Sequence, residues 1–187
     1  DGVAVRVLYD WLGCISTRRL FWRFLQAAGC EVRCFNPPTP FRPLRVISRD
    51  HRKLVVADGT QAVIGGLCIG DEWAGDTENG IPPWRDTAVY IEGPASHALD
   101  LAFAHTWSLA GPPLAEDECA TDPAPAGDAA VRVVVGLPGK ERAYRVLEYL
   151  AAGSRRRLWI MDAYLVPPPR LFEVLALAEK DGVDIRL

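Results

Sequence analysis

The run Asp50-His51-Arg52-Lys53-Leu54-Val55-Val56-Ala57-Asp58-Gly59 constrains the chain most. Leu54 to Ala57 is apolar without interruption, its valines favour extended backbone, and Asp58-Gly59 is a tight-turn dipeptide. Side chains alternate across a strand, so a strand over His51–Ala57 puts His51 and Lys53 on one face and Leu54 and Val56 on the other. Gln61–Ile64 then returns as a second arm that closes on Gly65-Gly66. One general base or nucleophile and one cation meet over a common spot. That arrangement suits a phosphate: the ammonium offsets anionic oxygens, and the imidazole attacks phosphorus or moves a proton. The same spacing fits a half-buried strand that keeps two polar residues wet, and the pattern alone leaves both readings open.

The flanking sequence predicts an α/β chain. Val3–Tyr9 reads as a buried strand ending at Asp10. Ser16 or Thr17 can cap a helix with apolar positions Leu20, Phe21, Phe24, Leu25 and Ala28, stopped by Gly29, and Glu31–Phe35 is a second strand. Asp71–Pro83 reads as a polar Gly/Pro-rich loop at a substrate entrance, Thr87–Ile91 as a strand, and Pro94 as the start of a helix through Leu109. His97 and His105 read as ordinary residues of that helix. Residues 111–129 have the composition of a linker. After them the alternation restarts: Val131–Val135 as strand, Glu141–Ala152 as helix, Arg157–Met161 as strand and Arg170–Lys180 as helix. Gly139-Lys140 is no phosphate loop, because Val134 stands where the first glycine belongs and Glu141 replaces the Ser/Thr.

With 187 residues, about half of them apolar, the chain can bury a substantial core. A net charge of −3 argues against binding nucleic acid through bulk positive charge, though a local basic patch survives that average. Lysine occurs only at 53, 140 and 180, which sets Lys53 apart. The five cysteines show no paired metal-ligand spacing and read as reduced thiols. No uninterrupted apolar run reaches the roughly 18 residues that span a bilayer.

Asp181-Gly182-Val183-Asp184-Ile185-Arg186-Leu187 repeats Asp1-Gly2-Val3-Ala4-Val5-Arg6-Val7, with four identities and two further apolar matches. An internal repeat places the counterpart of His51 beyond Leu187. The expected organisation is therefore residues 1–110 as a first half, 111–129 as linker, and 130–187 as the opening of a second half.

His51-x-Lys53-x4-Asp58, with the small pair Gly65-Gly66, resembles the H-x-K-x4-D signature of the phospholipase D superfamily. The linked motifs Arg49–Val56, Gly65–Trp73, Trp84–Thr87 and Ile91–Ala95 are similar to its bacterial cardiolipin synthase branch. The resemblance implies a mixed sheet flanked by helices, two such motifs facing each other across a pseudo-twofold axis, and phosphatidyl transfer through a phosphohistidine without metal or other cofactor. It implies a phospholipid substrate such as phosphatidylglycerol at a membrane surface, on the cytoplasmic side of the bacterial inner membrane. The second motif comes from the same parent chain or, in a less natural arrangement, from a homodimer. A hydrolase or nuclease of the superfamily, or a non-catalytic fragment, are the alternatives.

On that model His51 is nucleophile or general acid and Lys53 binds non-bridging oxygens. Asp58 organises the turn or acts directly. Asp86 accepts a hydrogen bond from the catalytic imidazole, or pairs with Arg85 at the surface. Gly65 and Gly66 let a phosphate approach the backbone, unless they mark a β-bulge. Cys68 stands where the family commonly has asparagine, and a thiol is the weaker donor. Glu72 lines the entrance with Trp73, for which core packing is the alternative, and Tyr164 faces the cleft from the other side.

Overall fold

The computed structural model describes residues 2–41, 48–119, 121–136, 142–162 and 165–187. It is a mixed α/β structure with helices flanking its sheets. Two compact units divide it, Asp1–Val133 and Val134–Leu187.

In the first unit β1 (Arg6–Asp10) runs parallel to β2 (Glu31–Phe35), joined through α1 (Arg19–Ala27). The expected Ser16/Thr17 cap does not form: residues 11–16 are taken up by turns, and the helix begins after an extended Arg18 that makes no side-chain cap. Trp22 of α1 stacks on Tyr9 of β1 with ring centroids 3.8 Å apart.

β3 (Lys53–Ala57), β4 (Gln61–Gly65) and β5 (Ala88–Glu92) form an antiparallel sheet. The β3–β4 loop has three residues, Asp58-Gly59-Thr60, with the Thr60 amide donating to the Ala57 carbonyl at 3.1 Å. Asp58 and Gly59 both take left-handed backbone, at φ 52° and 66°. The strand starts at Lys53, not at His51 as the apolar pattern suggested, because the residues before it are held by side chains elsewhere in the unit.

Alternation along β3 is as expected. Leu54 and Val56 pack with Ile64 on the buried cluster Ala62, Ile91 and Leu99, which leaves Lys53 on the opposite face. Leu99 belongs to α3 (Pro94–Leu109), whose fixed-φ proline stands at its start. The hydroxyl of Ser96, fully buried on α3, lies 2.9 Å from the Gly59 carbonyl and ties the helix to the hairpin loop. Trp107, also fully buried, carries the Arg33 guanidinium 3.9 Å above its ring.

Described residues of the Pro-rich segment after α3 lie along this unit. Arg33 Nη1 donates to the Pro112 carbonyl at 2.5 Å, and Thr121 Oγ1 donates to the Asp58 carbonyl at 3.4 Å. Val131–Val135 forms no strand; instead Val133 packs on the Ala62/Ile91/Leu99 cluster as an apolar plug.

In the second unit β6 (Arg157–Trp159) runs parallel to β7 (Asp184–Arg186), with α4 (Arg142–Gly153) and α5 (Pro169–Lys180) beside them. Ala151, Leu171 and Leu175 are its buried centre, and Leu158, Ile160, Val174 and Ile185 pack around them. Gly2 and Gly182 share a left-handed conformation, φ 86° and 88°, each just before a valine.

Candidate active site

The β3–β4–β5 register lines up Lys53, Gly65 and Ala88 across one end of the sheet, and the Gly66 amide continues it by donating to the Thr87 carbonyl at 3.3 Å. That pairing sets Asp86 directly against Gly66. A Cβ on Gly66 would collide with Asp86 Oδ1, and one on Gly65 would lie 2.5 Å from the Thr87 carbonyl oxygen. The small pair is thus required by close strand approach, and it leaves the Asp86 carboxylate beside the backbone next to Lys53.

Asp86 is exposed but held on both oxygens. Trp73 Nε1 donates to Oδ2 at 2.7 Å and the Thr87 amide to Oδ1 at 2.7 Å. The indole bond first, then the amide bond, hold this carboxyl below its ordinary value, with the Lys53 ammonium acting in the same direction. No hydrogen bond joins Asp86 to the His51 ring, and no ion pair joins it to Arg85, among the described residues. Trp73 belongs to the short helix α2 (Asp71–Ala74), inside the segment that the sequence read as loop, and packs edge-on to Trp84 with ring centroids 5.1 Å apart.

His51 is exposed, and its carbonyl accepts a hydrogen bond from Lys53 Nζ at 2.9 Å. The segment before it is moored by three bonds, to Asn36 and to both oxygens of Asp10. Asn36 Nδ2 donates to the Ser48 carbonyl at 2.8 Å, Arg49 Nε to Asp10 Oδ1 at 2.8 Å, and the Asp50 amide to Asp10 Oδ2 at 3.0 Å. After it, Arg52 Nη1 donates to the buried Thr106 Oγ1 of α3 at 2.6 Å. Burial works against the Asp10 anion, but the bonds from Gly13, Asp50 and Arg49 outweigh it and leave the carboxyl below its ordinary value.

The structure therefore brings together Lys53, Gly65, Gly66 and Asp86, with His51 two residues ahead of Lys53. Asp58 is not part of that group: it sits in the hairpin loop at the far end of β3. Cys68 Sγ lies 3.8 Å from the Gly66 carbonyl, its acceptor, just beyond the small pair. Glu72 is exposed on α2, its carboxylate over Gly70 and its carbonyl accepting from the Trp84 amide at 2.8 Å. Tyr164 lies outside the described residues. No group of three or more His, Cys, Asp or Glu side chains among the described residues is arranged to hold a metal ion.

The contacts of two residues escaped the sequence reading. Asp10 was visible only as the end of a strand, yet the carboxyl ends of parallel strands are where α/β sheets place their sites. Trp73 was placed at the entrance, without the Asp86 bond that its indole makes.

No family model matches the chain. Curated proteins do, along its full length: the cardiolipin synthase of Geobacillus thermodenitrificans (strain NG80-2) is 34% identical over 195 aligned residues, covering 100% of this chain and 38% of the relative. Cardiolipin synthase A of Pseudomonas putida (strain W619) is 34% identical, and the major cardiolipin synthase of Bacillus subtilis (strain 168) 33%, again over 100% of this chain and over 39% and 40% of their own lengths. The chain thus spans about two fifths of the curated relatives it matches. On this full-length similarity, and with Lys53 of the H-x-K-x4-D signature paired to Gly65 of the Gly-Gly motif while Asp58 lies at the other end of the hairpin, the chain belongs to the phospholipase D superfamily and is similar to its bacterial cardiolipin synthases.

Proposed function

We propose that this chain supplies one catalytic half of a phosphatidyltransferase of the cardiolipin synthase type, acting on phosphatidylglycerol-like phosphodiesters at a membrane surface. The observation that carries the reading is the convergence of Lys53, Gly65, Gly66 and Asp86 beside His51, in a chain whose whole length aligns with proteins named cardiolipin synthase. Lys53 offsets charge on the non-bridging oxygens. His51 is either the nucleophile or the general acid. As nucleophile its ring nitrogen bonds to phosphorus while the bond from phosphorus to the leaving alcohol breaks, and the second motif's histidine protonates that alcohol. The acceptor alcohol then attacks the phosphohistidine, loses its proton to that histidine and releases His51. As general acid His51 exchanges roles with the second motif.

That second motif comes from a second half of the same parent chain. The matching left-handed glycines before β1 and β7, and the sequence repeat around them, support the two-half organisation. The bacterial inner membrane is the site where such a substrate is met. No described helix is long and apolar enough to cross a membrane.

The test is phosphatidyl transfer on phosphatidylglycerol vesicles, by this chain and by the chain extended through the second half, with His51→Ala in both. Activity in the extended protein alone, lost in the variant, is the expected result. His51-dependent activity of the short chain that rises with protein concentration would replace the two-half arrangement by a homodimer. Undiminished activity of His51→Ala would overturn the reading altogether.

A further inference from the structure

We propose that Asp10 is a positioning residue for His51: its carboxylate fixes the two residues before the histidine and so sets the direction from which the imidazole meets phosphorus. The inference rests on the proposed catalytic role of His51. Asp10 stands at the carboxyl end of β1, its side chain only 10% exposed. Its two oxygens divide their bonds. Oδ1 takes the Gly13 amide at 2.9 Å and Arg49 Nε at 2.8 Å, while Oδ2 takes the Asp50 amide at 3.0 Å.

The Gly13 bond alone would serve the local turn after β1. The other two reach about forty residues along the chain, to the pair that immediately precedes His51. The Asp50 contact is to backbone, so it fixes the Arg49–Asp50 peptide, one residue ahead of the histidine, and not merely a flexible side chain. Arg52 to Thr106 is the matching restraint on the other side. His51 is thus suspended between the β1–β2 sheet, through Asp10, and α3, through Thr106. Its own ring has no hydrogen-bond partner among the described residues, so the place from which the imidazole extends depends on the backbone mooring at Asp50 and the side-chain moorings of Arg49 and Arg52 on either side. A displacement of about 1 Å at a reacting atom can cost on the order of a hundredfold in rate.

The experiment uses the whole protein that carries this chain, with Asp10→Asn, Arg49→Gln and His51→Ala. Phosphatidyl transfer is measured on phosphatidylglycerol vesicles, with kcat and KM separated and thermal unfolding followed in parallel. Asp10→Asn is expected to lower kcat roughly tenfold to a hundredfold and to leave KM within about twofold. Arg49→Gln, which retains the Asp50 bond, loses less. If Asp10→Asn does not fold, Arg49→Gln decides. A kcat within about twofold of the parent in the folded variants, with His51→Ala inactive, overturns the positioning role and leaves the functional reading intact. A loss carried by KM instead of kcat also overturns it. Full activity of His51→Ala overturns both.

Discussion

Gly66 shows how far a single residue determines this site. Its α-carbon faces the Asp86 carboxylate so closely that any side chain would displace it. Gly66→Ala is expected to push the Asp86 carboxylate off its Trp73 and Thr87 bonds and to lower phosphatidyl transfer more than a comparable substitution elsewhere on the sheet; normal transfer rates in the folded variant would show that the position of Asp86 is immaterial. Cys68 makes a different prediction. Its thiol lies 3.8 Å from the Gly66 carbonyl, where an amide would be the stronger donor. Cys68→Asn is therefore expected to preserve or raise turnover in the complete enzyme, and a clear fall in steady-state rate would show that this residue does not occupy the family's asparagine position. Strand alternation made Lys53 legible beside His51, whereas Gly65, Gly66 and Asp86 were expected at the site through the resemblance of the linked motifs; the strand register then brings Lys53, Gly65 and Gly66 together with Asp86. The contacts of Asp10 and Trp73 were not legible: their partners depend on where β1 ends and on the short helix α2, which periodicity does not specify.

Elements are joined here by polar contacts as much as by core. Asp10 links the end of β1 to the residues that lead into β3. Because its folded-state pKa is depressed, it contributes stability above the ordinary carboxylate value of about 3.9, and that contribution is lost as pH falls through the lowered value. Asp10→Asn should accordingly be less stable than the parent by about 1–3 kcal/mol at pH 7, with the gap closing as pH falls through the lowered value. Urea unfolding at stepped pH measures this, and a gap that stays constant would assign the effect to shape and not to charge. Most elements were readable from the sequence: the hairpin, the Pro94 helix and the two C-terminal helices all form close to their expected limits. Val131–Val135 is the instructive exception. A short valine run is equally suited to a strand or to covering a core, and periodicity cannot separate the two; here Val133 covers the Ala62/Ile91/Leu99 cluster.

On the scale of the whole molecule the two units have separate buried centres. Leu171→Ala, at the 4% exposed centre of the second unit, is expected to cost that unit about 2–5 kcal/mol. Amide hydrogen exchange should then accelerate in α4, α5, β6 and β7 while the Lys53–Glu92 sheet retains its protection; equal loss in both units would mean that they unfold as one. The two glycines of the repeat, Gly2 and Gly182, share left-handed backbone, although β1 starts four residues after the first and β7 two after the second; sequence could not reveal how the Pro-rich segment returns to Arg33 and Asp58.

The edge-on pair Trp73 and Trp84 gives the site an optical character. One indole donates to Asp86, which in turn feels the charge of Lys53, so an anion settling beside that ammonium alters the field and the water around the ring. Indole emission responds to both. The site therefore carries its own fluorophores, and with the other four of the six tryptophans replaced, a phosphodiester arriving there is expected to change the colour and intensity of emission without a label.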